Sequence, residues 1–272
     1  MRNNFVTRTL VALPLLVCFI LFLVFQGWYY RIFLSILLII AQYEIIKVIK
    51  TKVENLNVVI PYITACLVPI IAYFFGAVYI VWIYVFAIFT LILELILNQK
   101  RDINSFVYNI FSLIYPSMLF AFIFAMNINA SSGDGRLMFI LAFFTAIVTD
   151  TFAYLFGSAF GKRKLCPNIS PKKSVEGAVA GYVFGFLSIV LIGFFAQKLI
   201  GSTIEIIHFI ILGAILPILV QFGDLFASLI KRFFGVKDYG NLFPGHGGIL
   251  DRMDSSLFVC PIVYLYFDFL VF

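Results

Sequence analysis

Apolar stretches of about 17 to 22 residues alternate with short polar segments along the whole chain. Each stretch is long enough to cross about 30 Å of hydrocarbon as a helix rising about 1.5 Å per residue. Only helices and closed barrels satisfy their backbone groups in lipid, and these stretches lack the alternation of barrel strands. The pattern therefore predicts an all-α integral membrane protein with about nine transmembrane helices. They cover approximately residues 9–26, 31–46, 58–75, 77–97, 106–126, 136–156, 175–196, 203–230 and 249–270.

Composition agrees with a lipid environment, because 63% of the 272 residues are hydrophobic and only 12% are charged. One water-soluble core of this size could not bury so much apolar surface. The longest polar connections are residues 157–174 and 231–248. We expect residues 1–130 to form a scaffold of about five spans. Residues 131–272 are expected to form a catalytic part with about four spans and these two loops.

Lysine and arginine are distributed unevenly between the two sides of this arrangement. Fifteen of the 19 lie at the N-terminus or in loops that would share its side, and three lie opposite. Because basic loops remain in the cytoplasm, the N-terminus and both long loops are predicted to be cytoplasmic and the C-terminus outside. The net charge of +6 then lies mostly where it can attract anionic lipids or a nucleotide polyphosphate.

Polar residues form a stripe along one face of the eighth predicted helix. They are Gln221, Asp224, Ser228 and Lys231, at spacings of 3, 4 and 3. A carboxylate such as that of Asp224 costs about 2.5 to 3.5 kcal/mol inside a bilayer unless it has a partner in the protein. One interpretation of the stripe is a network that only ties helices together. The other is a site for an ionic ligand.

A glycine-rich turn precedes the ninth predicted helix and carries His246, Gly247 and Gly248. Unpaired amides and the positive dipole at a helix N-terminus favour anions, and glycines allow a phosphate to approach the backbone. Asp251 and Asp254 follow in the first turns. Asp254 is also well placed to cap the helix. His246 is a candidate donor to a phosphate or a residue that shapes the turn.

If Asp224 and Asp251 approach to about 4 Å, their repulsion is about 4 kcal/mol at an effective dielectric constant of about 20. A divalent cation between them removes this repulsion. Carboxylate and phosphate oxygens suit Mg²⁺, with Mn²⁺ as a substitute. Basic residues nearby are candidates to bind phosphates, and the alternative for each is a cytoplasmic membrane anchor. They are Lys231, Arg232, Lys237 and Arg252.

The sixth predicted helix adds Asp150, again about seven residues from its cytoplasmic end. The loop that follows offers hydroxyl and ammonium groups just before the seventh span: Ser170, Lys172, Lys173 and Ser174. Glu44 and Glu94 lie nearer cytoplasmic helix ends. We expect each to pair locally, Glu44 with Lys47 and Glu94 near Lys100.

Taken together, these elements resemble those of a known family, the phosphatidate cytidylyltransferases. Residues 145–177 and 221–256 carry the resemblance, whereas the N-terminal half is similar only in being hydrophobic and multi-spanning. Phe152 and Ser158 depart from the pattern, which often has a small and a basic residue there. The matching positions include Ser228, Lys231, Arg232, Lys237, Asp238, Gly240, Pro244, His246, Gly247, Gly248, Asp251, Arg252 and Asp254.

The resemblance implies an enzyme of the inner cell membrane that condenses CTP with phosphatidic acid, using magnesium, at the cytoplasmic side. It implies Asp224 and Asp251 as metal ligands, and Lys231 and Arg252 as groups that stabilise phosphates. The segment from Ser170 to Ser174 would close over the substrate. CTP, phosphatidic acid and membrane lipids are the expected partners. Nucleic acid is not expected, and a homodimer is compatible with the chain.

Two other functions stay open at this stage. A CTP-dependent kinase acting on a polyprenol or another lipid alcohol would use similar chemistry but release CDP. An ion-coupled transporter also carries acids and glycine breaks within its spans. The acids here lie toward the cytoplasmic side rather than the midplane, which favours an enzyme. The DGxxAR element of CDP-alcohol phosphotransferases is absent from the chain.

Overall fold

The computed structural model describes residues 28–98, 101–128, 134–200, 202–243 and 247–271, and these are mainly helical. The first predicted span, residues 9–26, lies outside the described residues, as does His246. Nine α-helices follow in chain order within these ranges: α1 Trp28–Ile49, α2 Val59–Phe74, α3 Ile80–Leu97, α4 Ile103–Ser112, α5 Leu119–Ile128, α6 Asp134–Phe160, α7 Val175–Phe195, α8 Ile206–Phe233 and α9 Leu250–Tyr266.

Short segments of other helix types extend several of these helices. A 3₁₀ turn, Ala77–Tyr79, leads into α3, and a π-helical segment, Leu113–Met118, joins α4 to α5. Tyr115 has extended backbone angles there, next to Pro116, so this span is kinked. Two further π-helical segments continue α7 and α9: Ala196–Ile200 and Phe267–Val271.

Seven helical stretches in the described part of the chain are long and apolar enough to cross a membrane. The helix Val59–Phe74 is apolar but shorter, with 16 residues. The prediction of a helical, multi-pass membrane protein is confirmed, whereas the number nine and the orientation of the termini stay predictions. The seven are Trp28–Ile49, Ala77–Leu97, Ile103–Met126, Gly135–Phe160, Val175–Leu199, Ile206–Phe233 and Leu250–Val271.

The chain forms two compact units. The first contains the helices up to Gly133 together with Phe233–Met253, and the second contains Asp134–Arg232 and Asp254–Phe272. In the first unit α1 packs on α2, and α2 packs on α3. Side chains such as Leu38 and Ala41 on α1 are fully buried. The predicted scaffold and catalytic parts were defined by function, whereas these units are defined by compactness. The predicted division therefore stays a prediction.

In the second unit α6 and α7 pack closely because α7 carries a stripe of glycines four residues apart, which includes Gly177 and Gly181. A Cβ atom at Gly177 would lie 2.5 Å from the Ala153 carbonyl oxygen, and one at Gly181 would lie 2.8 Å from that of Thr149. Larger residues at these positions would force the helix backbones apart. The stripe therefore fixes α6, and Asp150 with it, against α7.

The predicted loop 157–174 has more structure than a polar connection. Helix α6 continues to Phe160, and the remainder forms an antiparallel hairpin of β1 Lys164–Cys166 and β2 Ser170–Ser174. The described part of the chain, which we predicted to be all-α, thus contains one small β hairpin. Gly161 directly follows the last residue of α6, whereas Gly157 lies within the helix. Nothing in the polar pattern specified the strand pairing.

The hairpin is attached to the first turn of α7. The Ser174 hydroxyl accepts a hydrogen bond from the Gly177 N–H at 3.2 Å, which makes Ser174 the N-cap of α7. The Glu176 carboxylate accepts from the N–H groups of Lys162 and Arg163, at 3.0 and 3.2 Å. These bonds orient β2, and the lysines on it, relative to α7.

Candidate active site

The polar stripe on α8 is half-buried along its whole length. The Gln221 side-chain amide donates to the Ala178 carbonyl oxygen at 3.1 Å and so ties α8 to α7. The Ser228 hydroxyl donates to Asp224 Oδ1 at 3.4 Å. Gln221 therefore has the helix-tying role that the first interpretation of the stripe gave to Gln221, Asp224 and Lys231. The partners of Asp224 are of a different kind.

Lys173 on β2 forms an ion pair with Asp224 on α8, with Nζ 2.6 Å from Oδ2. About a quarter of each side chain is exposed, 25% for Lys173 and 28% for Asp224. The ammonium group offsets the cost of a carboxylate within an apolar helix. The segment from Ser170 to Ser174, which the resemblance implied would close over substrate, thus holds a basic group directly at the α8 carboxylate.

Close approach of α8 and α9 brings more acids to this region of the second unit. A Cβ atom at Gly223 would lie 2.7 Å from the Asp254 carbonyl oxygen, so only glycine fits there without displacement. The Ser255 hydroxyl donates to Asp150 Oδ2 at 2.9 Å and lies 3.4 Å from Asp254 Oδ1. Ser255 therefore connects α6 with α9.

Asp254 is half-buried and is surrounded by charge. The charged groups that face it are those of Asp224, Lys231 and Asp150. We call Asp150, Asp224 and Asp254 the acid cluster. Helix capping was one interpretation of Asp254, but its carboxylate belongs to this cluster. Lys173 and Lys231 are the basic groups beside it.

The acid cluster has the donor chemistry of a site for a hard cation. Its donors are carboxylate oxygens with a serine hydroxyl nearby, the ligand type that Mg²⁺ prefers. Within the described ranges, no group of three or more His, Cys, Asp or Glu side chains is arranged to hold a metal ion by itself. Such an ion would therefore need further oxygen ligands, such as those of a phosphate.

Asp251, in the first unit, is buried, with 8% of its surface exposed. Its Oδ2 accepts hydrogen bonds from the N–H groups of Tyr239 and Gly248, at 2.8 and 2.9 Å. It therefore links the backbone at Tyr239 to the backbone at Gly248. Because Asp224 belongs to the second unit, its predicted pairing with Asp251 through a metal ion stays a prediction.

Glu44 on α1 has a role that the sequence did not indicate. Its Oε1 accepts from the Ile249 N–H at 3.0 Å, and its Oε2 accepts from the Leu250 N–H at 2.9 Å. Its hydrogen-bond partners are thus backbone groups 205 and 206 positions away rather than Lys47 nearby. The expectation of unpaired amides at the start of α9 is wrong for these two residues and for Gly248.

The other predicted site residues are distributed over both units. Arg232 is exposed, and its Nε donates to the Ile169 carbonyl oxygen at 3.4 Å. Gly247 has φ of +80°, a conformation that favours glycine. Among the remaining candidates, Lys172, Lys237 and Arg252 are exposed, Ser170 is half-buried, and Gly248 is buried.

These side chains belong to a chain that matches a characterised family over nearly its whole length. The profile of the cytidylyltransferase family matches residues 6–270. The chain belongs to the cytidylyltransferase family. This result confirms the family resemblance seen in the sequence.

Several relatives carry the name phosphatidate cytidylyltransferase. The protein of Staphylococcus haemolyticus is 42% identical over 138 residues, which cover 51% of this chain and 52% of that protein. That of Aquifex aeolicus is 38% identical over 175 residues, covering 64% of this chain and 62% of that protein. The chain thus spans about half to two thirds of these two cytidylyltransferases. That of Staphylococcus aureus is 31% identical over 261 residues, covering 94% of this chain and 96% of that protein.

The two departures from the cytidylyltransferase pattern have local explanations. The Phe152 ring on α6 stacks on the Phe184 ring on α7, with centroids 3.9 Å apart and planes 14° apart. A large ring therefore fills space between these helices. Ser158 is exposed, and its hydroxyl donates to the Leu155 carbonyl oxygen at 2.9 Å. It contributes no charge at a position where the resemblance implied a basic side chain.

Two residues with partners at or near the predicted site were missed by reasoning from the sequence. Ser255 follows Asp254 directly, but a serine in an apolar helix carries no particular signal. The position of Glu44 did give a signal in the sequence, because an acid within an apolar span needs a partner. The nearest base in sequence, Lys47, was assigned to it instead. The resemblance did not help, since its motifs lie in the C-terminal half.

Proposed function

We propose that this cytidylyltransferase condenses CTP with phosphatidic acid to give CDP-diacylglycerol and pyrophosphate. The observation that carries the proposal is the acid cluster with Lys231, on helices that are long enough to span a membrane, and with Lys173 on β2 beside it. In this proposal the lipid phosphate enters the site from the bilayer and the nucleotide enters it from water. The names of the relatives support this pair of substrates.

In this reaction an oxygen of the lipid phosphate attacks the α-phosphorus of CTP. The bond between that phosphorus and the oxygen bridging to the β-phosphate breaks, and pyrophosphate leaves with the electron pair. Both reactants are anions, so positive groups must offset their repulsion before they can meet. We assign that role first to Lys173 and Lys231, because both lie at the acid cluster.

Further groups are proposed to bind the phosphates of the two substrates. Exposed lysine and arginine side chains can move to a ligand without losing buried contacts. Guanidinium groups also bind phosphate through two hydrogen bonds at once. His246 is proposed to donate a hydrogen bond to a phosphate. The remaining proposed contacts are Ser170, Lys172, Ser174, Arg232, Lys237, Gly247 and Arg252.

Magnesium is the proposed metal, with manganese as a substitute, and Asp224 and Asp251 are its proposed ligands. The carboxylates of Asp150 and Asp254 complete a set of hard oxygen donors near Asp224. When bound, the ion would neutralise charge that develops on the transferred phosphoryl group and on pyrophosphate. Lys173 balances the charge of Asp224 in this structure.

We place the protein in the inner cell membrane, with the site at the cytoplasmic side. The excess of basic residues in the loops around the acid cluster supports this orientation. CTP is a cytoplasmic metabolite, and the same charge would attract both the nucleotide and anionic lipid headgroups.

The proposal is tested with purified protein in detergent, supplied with CTP, phosphatidic acid and Mg²⁺. We expect liponucleotide and pyrophosphate to form in equal amounts, as measured by mass spectrometry and a pyrophosphate assay. Asp224→Asn should lower the rate by roughly 100- to 1000-fold, because a charged group at the site of phosphoryl transfer is lost. The variant should still elute from size-exclusion chromatography as a folded species.

Asp268→Asn is the matched control, because Asp268 is an exposed acid in the segment that continues α9 at its far end. Its rate should stay within about twofold of that of the unaltered protein. When a polyprenol or another lipid alcohol replaces phosphatidic acid in the assay, release of CDP together with the phosphorylated alcohol would instead identify a lipid kinase. Ion flux into vesicles without any nucleotide product would identify a transporter. An active Asp224→Asn variant would remove Asp224 from the site.

A further inference from the structure

Glu44 is an acid buried inside α1, with only 3% of its surface exposed. Both of its carboxylate oxygens accept backbone hydrogen bonds, from Ile249 and Leu250 at the start of α9. These N–H groups have no acceptor within the helix, and the positive end of the helix dipole favours an anion there. The anion at the start of α9 is therefore a side chain of the protein itself.

The backbone around Glu44 is shaped to fit its carboxylate. A Cβ atom at Gly248 would overlap Glu44 Oε1, and one at Gly240 would overlap the same oxygen. The three atoms nearest to each of these two Cβ positions all belong to Glu44. Both glycines thus leave room for one side chain, which comes from a distant part of the sequence.

Asp251 completes the arrangement from the other side of the turn. It accepts from the N–H groups of Tyr239 and Gly248, so the two carboxylates together hold four backbone N–H groups of this segment. The charged groups that face Glu44 are Asp251 and Lys47. Two acids of like charge are kept near each other here, an arrangement that is costly unless other contacts compensate it.

We propose that Glu44 is a positioning residue for cytidylyl transfer, one that holds the turn carrying Gly247, Gly248 and Asp251 in its working shape. The inference rests on the proposed function, because that turn carries proposed substrate and metal contacts. Glu44 does not touch substrate in this scheme. It acts through the backbone groups from which it accepts hydrogen bonds, and it makes a residue of α1 part of the support of this turn.

Glu44→Gln tests the proposal, because it keeps the size of the side chain but sets an NH₂ group against one backbone N–H. We expect hydrogen exchange to become faster in peptides covering residues 239–251, while exchange in α6 and α7 is unchanged. The KM for CTP should rise and kcat should fall, with kcat/KM lower by roughly 10- to 100-fold. Glu44→Asp, which keeps two acceptor oxygens, should recover part of the loss.

Glu54→Gln is the matched control, because Glu54 is an exposed acid in the loop after α1. It should leave exchange and kinetics unchanged. A purely structural role for Glu44 predicts fewer folded molecules with an unaltered KM, and that result would overturn the proposal, as would unchanged exchange in residues 239–251. The exchange experiment needs no substrate, so it gives an answer even if the proposed reaction is wrong.

A double-mutant cycle with Gly240→Ala provides a second measurement if Glu44→Gln folds poorly. The three atoms nearest to the added methyl group are all atoms of Glu44. Gly240→Ala should therefore lower the thermal midpoint in the unaltered protein and have little further effect in a Glu44→Ala background. Additive effects would contradict the contact on which the proposal depends.

Discussion

At the residue scale, the pairing of Lys173 with Asp224 shows how a charge is kept within an apolar helix. The ammonium group comes from β2 and the carboxylate from α8, at 2.6 Å. A carboxylate alone on such a helix would be costly, whereas a lysine on a hairpin can also move to a phosphate when substrate arrives. One contact therefore balances the charge of Asp224 and holds in place a basic group that we propose to act in the reaction.

Lys173→Met should lower kcat/KM for CTP by roughly 10- to 100-fold, because a charge-assisted contact to phosphate is lost. It should also lower the free energy of unfolding by about 1 kcal/mol, since Asp224 loses its partner. Steady-state kinetics and thermal unfolding in detergent measure the two effects. Lys164→Met, which replaces an exposed lysine on β1, should change neither, and a Lys173→Met enzyme with normal kinetics would contradict the assignment.

At the scale of elements, the glycine stripe on α7 sets the distance to α6. Between helices in lipid, association depends on close packing more than on the hydrophobic effect. Gly181 faces the Thr149 carbonyl oxygen and Ala153, whereas Val183 on the same helix is exposed. The stripe matters for the site because α6 carries Asp150, and α7 begins at the hairpin that carries Lys173.

Gly181→Leu should destabilise the protein by about 1 to 3 kcal/mol, because a larger side chain forces α6 and α7 apart. Activity should fall as well, since Asp150 moves with α6. Thermal unfolding and the liponucleotide assay measure both effects. Val183→Leu introduces the same side chain at a position that faces outward and should be nearly neutral. Equal effects of the two substitutions would show that the stripe does not set the spacing.

At the scale of the whole molecule, the distribution of basic residues predicts which ends of the helices face the cytoplasm. The helices are long enough to cross a membrane. Their orientation is set when the chain is inserted, and the basic loops determine it. The hairpin at residues 164–174 is predicted to be cytoplasmic, and the connection near residue 203 is predicted to lie outside.

Single cysteines at Lys164 and Thr203, in a variant whose four native cysteines are replaced, test this orientation. Both positions are exposed. A membrane-impermeant thiol reagent should label Lys164→Cys only in inside-out vesicles and Thr203→Cys only in right-side-out vesicles. Labelling in the opposite pattern would place the proposed site on the wrong side for CTP. Retained liponucleotide synthesis shows that each variant is folded.

Much of the fold could be predicted because the length of an apolar stretch is a local property of the sequence. The eight predicted spans that fall on described residues all coincide with helices, with boundaries shifted by a few residues. The hairpin was not predicted, because its two strands have only 3 and 5 residues. Strands so short carry no distinct periodicity.

The sequence by itself determined that the chain is a helical membrane protein, which family it resembles, and which segments carry acids and bases. These properties could be predicted because composition and motif spacing are local features of the sequence. Only the tertiary structure decided which groups meet: Lys173 with Asp224, Ser255 with Asp150, and Glu44 with the start of α9. Partners that are far apart in sequence leave no local pattern, so their hydrogen bonds become visible only when the chain is folded.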